Sequence, residues 1–524
     1  VVNGLYDYVI VGAGSAGCVL AARLTADPDV TVLLVEAGPP DTAPEIKIPM
    51  AWPQLFKTPL DWDYTSEPEP GLDGRRRNLP RGRTLGGSSS INAMIYMRGN
   101  PLDYQEWAAA GEGWGWADVL PYFRRAEDNE RGESDLHGAG GPLPVSDLRA
   151  KHKLMDAFLD ATAEAGYPRN EDVNGASQEG FGWLQVTQRN GLRCSAADAY
   201  LHPVADRPNL TVLTDTTVTR VLIEGGRATG IEVVERNEKR EIRAEREVLL
   251  SAGAYNSPQL LMLSGIGRAA ELAPLGIAPV AELPVGDNLQ DHAFFPLVFH
   301  TEEESLSTAA TPENIQRLFA EGAGPLTSNI AEATGFFRSR PDLDAPDIQV
   351  HAGAVMLVEE GLGVPVHHAF TAAPTLVRPT SRGRVSLRSA NPLAKPRIQH
   401  NYLTTEEDRR AVVAGVRTVL DILDRPALSA FRGEPISAPE GTGEEEILAF
   451  ARYSLSSIFH PVGTCAMGSV VDHELRVRGI DGLRVVDASI MPNTVRGNTN
   501  APTIMIAERA ADLIAGRPTL TAAR

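Results

Sequence analysis

Apolar positions fall along this chain in two rhythms, and the first forty residues carry the more informative one. Tyr8-Val-Ile-Val11 is an unbroken apolar run, the pattern of a strand buried on both faces. It enters the turn Gly12-Ala-Gly14-Ser15-Ala-Gly17, and Cys18 to Leu24 continues with helical composition until Asp27-Pro28 stops it. Val30-Thr-Val-Leu-Leu-Val35 is a second apolar run, ending at Glu36. Strand, glycine turn, helix, strand and acid is the context in which such a turn binds a dinucleotide. Gly12 permits the tight turn, Gly14 lets the backbone approach a pyrophosphate, and Gly17 lets helix and strand pack closely. The helix N-terminus at Ser15 offers unpaired N–H groups to that pyrophosphate, and Glu36 is placed to accept hydrogen bonds from an adenosine ribose. Which dinucleotide binds is left open by these residues.

Further runs of the same kind predict strands at Leu210–Leu213, Thr217–Leu222, Thr229–Val234, Glu247–Gly253 and Leu483–Asp487, with a last helix over Pro502–Gly516. Residues 101–165 read as helical and rich in aromatics, and residues 325–400 carry strand-like alternation, including Asp347–His351 and Gly383–Leu387. Parallel-type strands therefore cluster at both ends and near residue 250. The expected fold is α/β: a Rossmann-like dinucleotide domain, discontinuous in sequence, interleaved with an α+β substrate domain built on an antiparallel sheet. Residues 1–45, 75–100, 205–300 and 455–524 are assigned to the first, and 46–74, 101–204 and 301–454 to the second with its lid segments.

Composition narrows the picture. A chain of 524 residues exceeds one ordinary domain, and 43% hydrophobic with 22% charged residues is globular usage. A formal charge of −19 argues against nucleic acid as a partner. No run of eighteen apolar residues occurs, so no membrane span is expected. Three scattered cysteines, Cys18, Cys194 and Cys465, form no metal-type pair and no disulfide framework. With no basic-plus-apolar leader ahead of the first strand, a cytoplasmic location is expected, and no metal site.

Three further segments carry chemistry: Gly82-Arg-Thr-Leu-Gly86-Gly87-Ser-Ser-Ser-Ile-Asn92, Ser251 to Gly267, and the C-terminal stretch His460-Pro-Val-Gly, Val486-Asp487 and Gly497-Asn498-Thr499-Asn500-Ala-Pro502-Thr503. With the first turn, they closely resemble the glucose–methanol–choline (GMC) family of flavin oxidoreductases over essentially the full length. The resemblance implies that the dinucleotide is FAD, and that an alcohol is oxidised with oxygen or another electron acceptor. It implies flavin contacts from Gly86, Gly87, Asn92, Asp487 and Thr503, and an adenine-end contact from Val218. Val218 also reads as a plain strand valine, and Asp487 as the cap of a strand end.

Flavin oxidation of an alcohol needs the hydroxyl proton removed while hydride leaves for flavin N5, and histidine is the natural base near neutral pH. Of eleven histidines, His460 lies in a Pro/Gly-flanked turn and matches the family's catalytic histidine. Asn500 matches the second catalytic position, which holds the alcohol oxygen, and also suits a helix cap. Where some relatives attach FAD through a histidine, this chain has Ile91, so non-covalent FAD is expected. Ala93, Phe459 and Trp62 are candidate substrate walls. They suit primary aryl or medium-chain alcohols, with a choline-like cation as the lesser possibility. A redox-silent hydroxynitrile lyase of the same family is the alternative function.

Overall fold

The computed structural model describes residues 4–236 and 238–521. Two sheets dominate it. The first has strands in the order Leu210–Leu213, Val32–Val35, Leu5–Val11, Glu238–Leu250, Arg227–Glu235 and Thr217–Glu224, and Leu483–Val485 also pairs with Glu238–Leu250. Its centre is parallel: Val9 lies opposite Leu33 on one side and Val248 on the other. These residues are wholly buried, which is why they read as continuous apolar runs. Glu238–Leu250 serves two purposes. Its charged first half pairs antiparallel with Arg227–Glu235, while its apolar end joins the parallel core. Only the apolar end was legible in sequence, because the first half alternates charged residues along a half-exposed strand.

The second sheet is antiparallel, in the order Pro435–Ser437, Leu297–His300, Ala369–Leu376, Ile348–Gly353, Ala333–Phe337 and Gly180–Trp183. Alternation sets its two faces. Ile348 and Val350 join the core formed with the helices Lys153–Glu164 and Glu406–Leu423, while His351 and Gly353 line a cavity between the sheets. Ala293–Phe294, Leu297–His300 and Ser456–Ser457 also pair in this sheet, although their stretches read by sequence as part of the dinucleotide domain. An apolar run shows that a strand is buried but not which sheet it enters. Arg384–Ser386 forms a separate ribbon with Arg397–Gln399. Within 101–165 the helices Pro101–Ala110, Trp116–Ala126 and Lys153–Glu164 are interrupted by short strands at Glu127–Asn129 and Leu143–Asp147.

The last helix, Asn500–Ile514, packs on the first, Ser15–Leu24, so the two ends of the chain meet. Buried Glu508 locks this contact. It pairs with Arg23 at 2.8 Å and Arg125 at 2.7 Å and accepts from Tyr200 Oη at 2.7 Å. Removing one partner leaves buried charges uncompensated. Glu508→Ala should cost about 3 kcal/mol and lower the thermal midpoint, whereas an unchanged midpoint would show the pair to be incidental.

Candidate active site

The glycine turn closes for steric reasons. Gly12 has φ +97°, and a Cβ there would sit 2.6 Å from Ser251 O; a Cβ on Gly17 would lie 1.9 Å from Gly12 O. Gly14 differs, since its missing Cβ would meet nothing closer than Gly87 Cα, at 3.8 Å. Gly14 and Gly87 both line the cavity, and the helix above them carries no acid in its first turn. Glu36 braces the turn, accepting from Ala13 N at 2.9 Å and Gly38 N at 2.8 Å. Burial pushes its carboxyl up to about 7.

The cavity, of about 520 Å³, gathers residues from both ends of the chain and from both sheets. Gly12, Gly14, Ser15 and Glu36 line it, as do Gly87, Asn92, Val218 and Asp487. So do His460, Asn500 and Thr503, together with Trp62, Ala93 and Phe459. Gly17 and Gly86 do not line it. They act from behind, Gly86 by donating its N–H to Ala13 O at 2.8 Å. Asp487 is engaged by Ser257 Oγ at 2.6 Å, Gly253 N at 2.9 Å and, locally, Ser489 N at 2.8 Å, tying its own segment to the start of the helix Gly253–Leu263.

His460 also lines the cavity, and its Nδ1 is 2.9 Å from His292 Nδ1. His292 Nε2 is in turn 3.0 Å from Thr494 Oγ1. Burial is the main reason that His460 is held well below the ordinary histidine pKa and His292 falls to about 4. Both rings are therefore neutral near pH 7, and one proton must lie between the two Nδ1 atoms. Thr494 Oγ1 can direct its own proton to Val495 O, 3.5 Å away, and accept from His292 Nε2. That assignment makes His292 Nδ1 the acceptor and His460 Nδ1 the donor. His460 Nε2 is then left with a lone pair, and it faces Asn498 Nδ2 at 3.2 Å.

Asn498, rather than Asn500, thus makes the hydrogen bond to the histidine. Asn500 opens the last helix as its first residue, after Thr499 at the cap, and its Oδ1 accepts from Ser15 Oγ at 2.7 Å. Among the described residues its Nδ2 makes no hydrogen bond. Sequence reasoning missed His292, His351, Asp291 and Arg81. Arg81 lines the cavity, donates to Phe459 O at 2.6 Å and has no carboxylate at ion-pair distance among the described residues. The available signal was Asp291-His292 just before an apolar strand, a polar pair in a place that is costly to bury without use. Asp41, Asp198 and His202 also bring ligand-type atoms within 4.8 Å of one another, but Lys47 already occupies Asp198.

The GMC oxidoreductase N-terminal pattern matches residues 6–294, and the C-terminal pattern matches residues 379–507. The chain belongs to the GMC oxidoreductases. An alcohol dehydrogenase [acceptor] of Pseudomonas putida is 46% identical over 97% of this chain and 96% of its own. Human mitochondrial choline dehydrogenase is 47% identical over 98% and 90%. Among solved structures, a pyridoxine 4-oxidase from Mesorbium loti superposes with a TM-score of 0.90 at 36% identity, covering 98% of this chain and all (100%) of that one. A formate oxidase superposes with a TM-score of 0.93 at 27% identity, over 98% and 99%. This GMC protein is accordingly an FAD-dependent oxidoreductase acting on CH–OH donors. Its residues fit the cofactor: the Gly14–Gly87 approach leaves room where any side chain would intrude, and the helix start beside it presents N–H groups without a competing acid. Among the described residues no helix is long and apolar enough to cross a membrane.

Gly87 has φ +53°, and a Cβ there would come 2.6 Å from Gly14 Cα, which is backbone and cannot yield. Gly87→Ala should therefore leave the protein folded by circular dichroism but strip most of its flavin during gel filtration. Full flavin content in that variant would contradict the assignment of this turn to the cofactor.

Proposed function

We propose that this protein oxidises neutral, apolar primary alcohols, aryl or medium-chain, with His460 as the base. FAD, held at Gly12–Gly17, Gly86–Asn92, Val218, Asp487 and Asn500–Thr503, supplies the hydride acceptor. Ile91 lines the cavity where some relatives carry a linking histidine and offers no bonding atom, so the cofactor is held non-covalently. The Nε2 lone pair of His460 takes the hydroxyl proton. The unengaged Nδ2 of Asn500 is the donor available to hold the alcohol oxygen, and Asn498 Nδ2, which donates to His460 Nε2 in the resting site, joins it once the alcohol displaces it from the ring. His292, through the Nδ1–Nδ1 hydrogen bond, keeps the ring in the tautomer that leaves Nε2 unprotonated.

The observation that carries the substrate class is the charge of the walls. Trp52, Phe56 and Phe459 pack edge to face, with centroids 5.4–5.5 Å apart, and Phe294, Ile330 and Val355 complete an apolar lining. An aromatic wall could hold a quaternary ammonium, but a cation also favours a neighbouring carboxylate. Glu360, the acid on this part of the lining, is already paired with Arg77 at 3.0 Å and accepts from Asn78 N at 3.0 Å. Arg81 adds positive charge. Benzyl alcohol or a medium-chain alcohol should therefore exceed choline in kcat/KM by at least about tenfold, the equivalent of one cation–π and charge contact. A preference for choline of that size would overturn the substrate assignment while leaving the family untouched.

The histidine pKa sets the pH profile. A lowered pKa keeps the base-competent neutral ring dominant at pH 6.5 and above, so flavin reduction should be flat there. The acid limb should appear only below the ordinary histidine range, as His460 takes a proton. His460→Ala should slow anaerobic flavin reduction by about 10²-fold or more in stopped flow, the scale of a lost general base. Reduction at the wild-type rate would refute the role.

A further inference from the structure

A second guanidinium is buried with no acid to answer it. Arg193 is 2% exposed, and its Nη2 is buried without a hydrogen-bond partner. Its other nitrogens donate to neutral oxygens: Nε to Ile46 O at 2.7 Å, and Nη1 to Ser89 O at 3.1 Å and Asn92 Oδ1 at 2.9 Å. Asp198 is the one acid whose charge it feels strongly, and that carboxylate is committed elsewhere, to Lys47, to Ser195 N at 3.0 Å and to His202 Nδ1 at 3.4 Å. Burial pulls the Arg193 pKa down to about 9, so the charge is carried at neutral pH but at a cost. An unpaired buried charge is among the more expensive features a fold can keep. It needs a use.

The position suggests one. Ser89 and Asn92 belong to the segment that leaves the glycine turn at Gly87 and runs along the cavity to Ala93, whose carbonyl is held by Asn329 Nδ2 at 2.9 Å. Asn92, Ala93 and Ile95 line the cavity, and Arg193 stands directly behind Asn92. By holding Asn92 Oδ1, it leaves the Asn92 amide N–H groups as that side chain's donors. The pyrophosphate end is already served by Gly14, Ser15 and the helix start.

We propose that Arg193 is the fixed counter-charge for negative charge on the flavin ring: a buried cation one side chain away from the cavity that favours the reduced, anionic cofactor. The proposal rests on FAD filling this cavity, but not on which alcohol, if any, is the substrate. In so dry a setting a single charge acts over several ångströms with little screening.

Sulfite is the direct probe, because its addition to oxidised flavin places negative charge on the ring and needs no alcohol and no base. In the flavin-loaded enzyme, Arg193→Met should weaken sulfite binding, read by bleaching of the flavin absorbance, by at least about tenfold and lower the flavin midpoint potential. Arg193→Lys, which keeps the charge but not the fork of hydrogen bonds, should stay within about threefold of wild type. Wild-type sulfite affinity in Arg193→Met overturns the proposal. Loss of oxidised FAD from Arg193→Met on gel filtration also overturns it, since the charge would then serve the pyrophosphate. If Arg193→Met does not fold, Arg193→Lys decides alone: retained affinity supports the charge role, and a tenfold loss shows that only the hydrogen-bond framework matters. Failure of alcohol oxidation with normal sulfite behaviour would instead count against His460 or the substrate class.

Discussion

One buried carboxylate fixes the chemistry of this site without touching the cavity. Asp291 accepts four hydrogen bonds: from His460 N at 2.8 Å and His292 N at 2.9 Å on one oxygen, and from Ser457 Oγ and Tyr402 Oη, both at 2.5 Å, on the other. Hydrogen bonds to a charged group are each worth about 1.5–3 kcal/mol, so the set outweighs the cost of keeping one acid dry. Its effect is geometric. The two histidines that share a proton are held by backbone bonds to the same oxygen, so their rings cannot drift apart independently. Ser457 passes the constraint on, since its Oγ also accepts from Phe459 N at 2.7 Å, and Phe459 takes the left-handed conformation (φ +66°) that turns the chain into His460. A phenylalanine holds such a conformation only where its surroundings over-determine it. Here Ser457 fixes its N–H and Arg81 its carbonyl.

The two sheets explain why this arrangement needs the whole chain. The parallel sheet delivers the glycine turn and Glu36 from its strand ends, as doubly wound folds do. The antiparallel sheet delivers His351 and Phe294 from strands whose other faces rest on helices. The short strands Ala293–Phe294 and Ser456–Ser457 pair with each other beside Asp291, so His292 and His460 are brought together by the antiparallel sheet. Asn498 and Asn500 arrive separately, on the approach to the last helix. Ser15 Oγ donating to Asn500 Oδ1 joins the starts of the first and last helices at the cavity. Glu508, two turns further along, makes that junction rigid.

What was legible in the sequence is what repeats locally. The first strand–turn–helix–strand unit could be read from its residues, because burial on both faces leaves an apolar run and close packing leaves glycines. Residues that line the cavity were legible where a motif surrounds them, as with Gly14, Gly87 and His460. His292 and Asp291 were not, because their roles come from pairing across 168 and 169 residues, and no local pattern encodes that partner. Asn498 and Asn500 show the limit most sharply. Both stand in one short stretch, and only three-dimensional placement shows which faces His460 and which faces Ser15. The interruption of 101–165 by two strands has a similar origin, since Leu143–Asp147 pairs with Gln185–Val186 from far along the chain.

The electrostatics of the cavity run against those of the protein that encloses it. The chain carries a net charge of −19, yet beside the cavity stand three guanidiniums, Arg81, Arg83 and Arg193, with no carboxylate at ion-pair distance among the described residues. The histidines around it are neutral: His351 and His292 are lowered to about 4, and His460 is held well below its usual value. Of the acids near it, Asp487 is wrapped in hydrogen-bond donors and Glu360 is paired with Arg77. A resting site with uncompensated positive charge and unprotonated bases is poorly matched to a cationic substrate. It is well matched to a reaction that takes a proton onto a histidine and sends a hydride, with its electron pair, to a neighbouring ring. On the reading proposed above, the neutral imidazole would receive the proton, and the buried cations would favour the negative charge left on the flavin. The cost of that burial is met in the folded protein before the substrate arrives, so little reorganisation is left for the reaction itself.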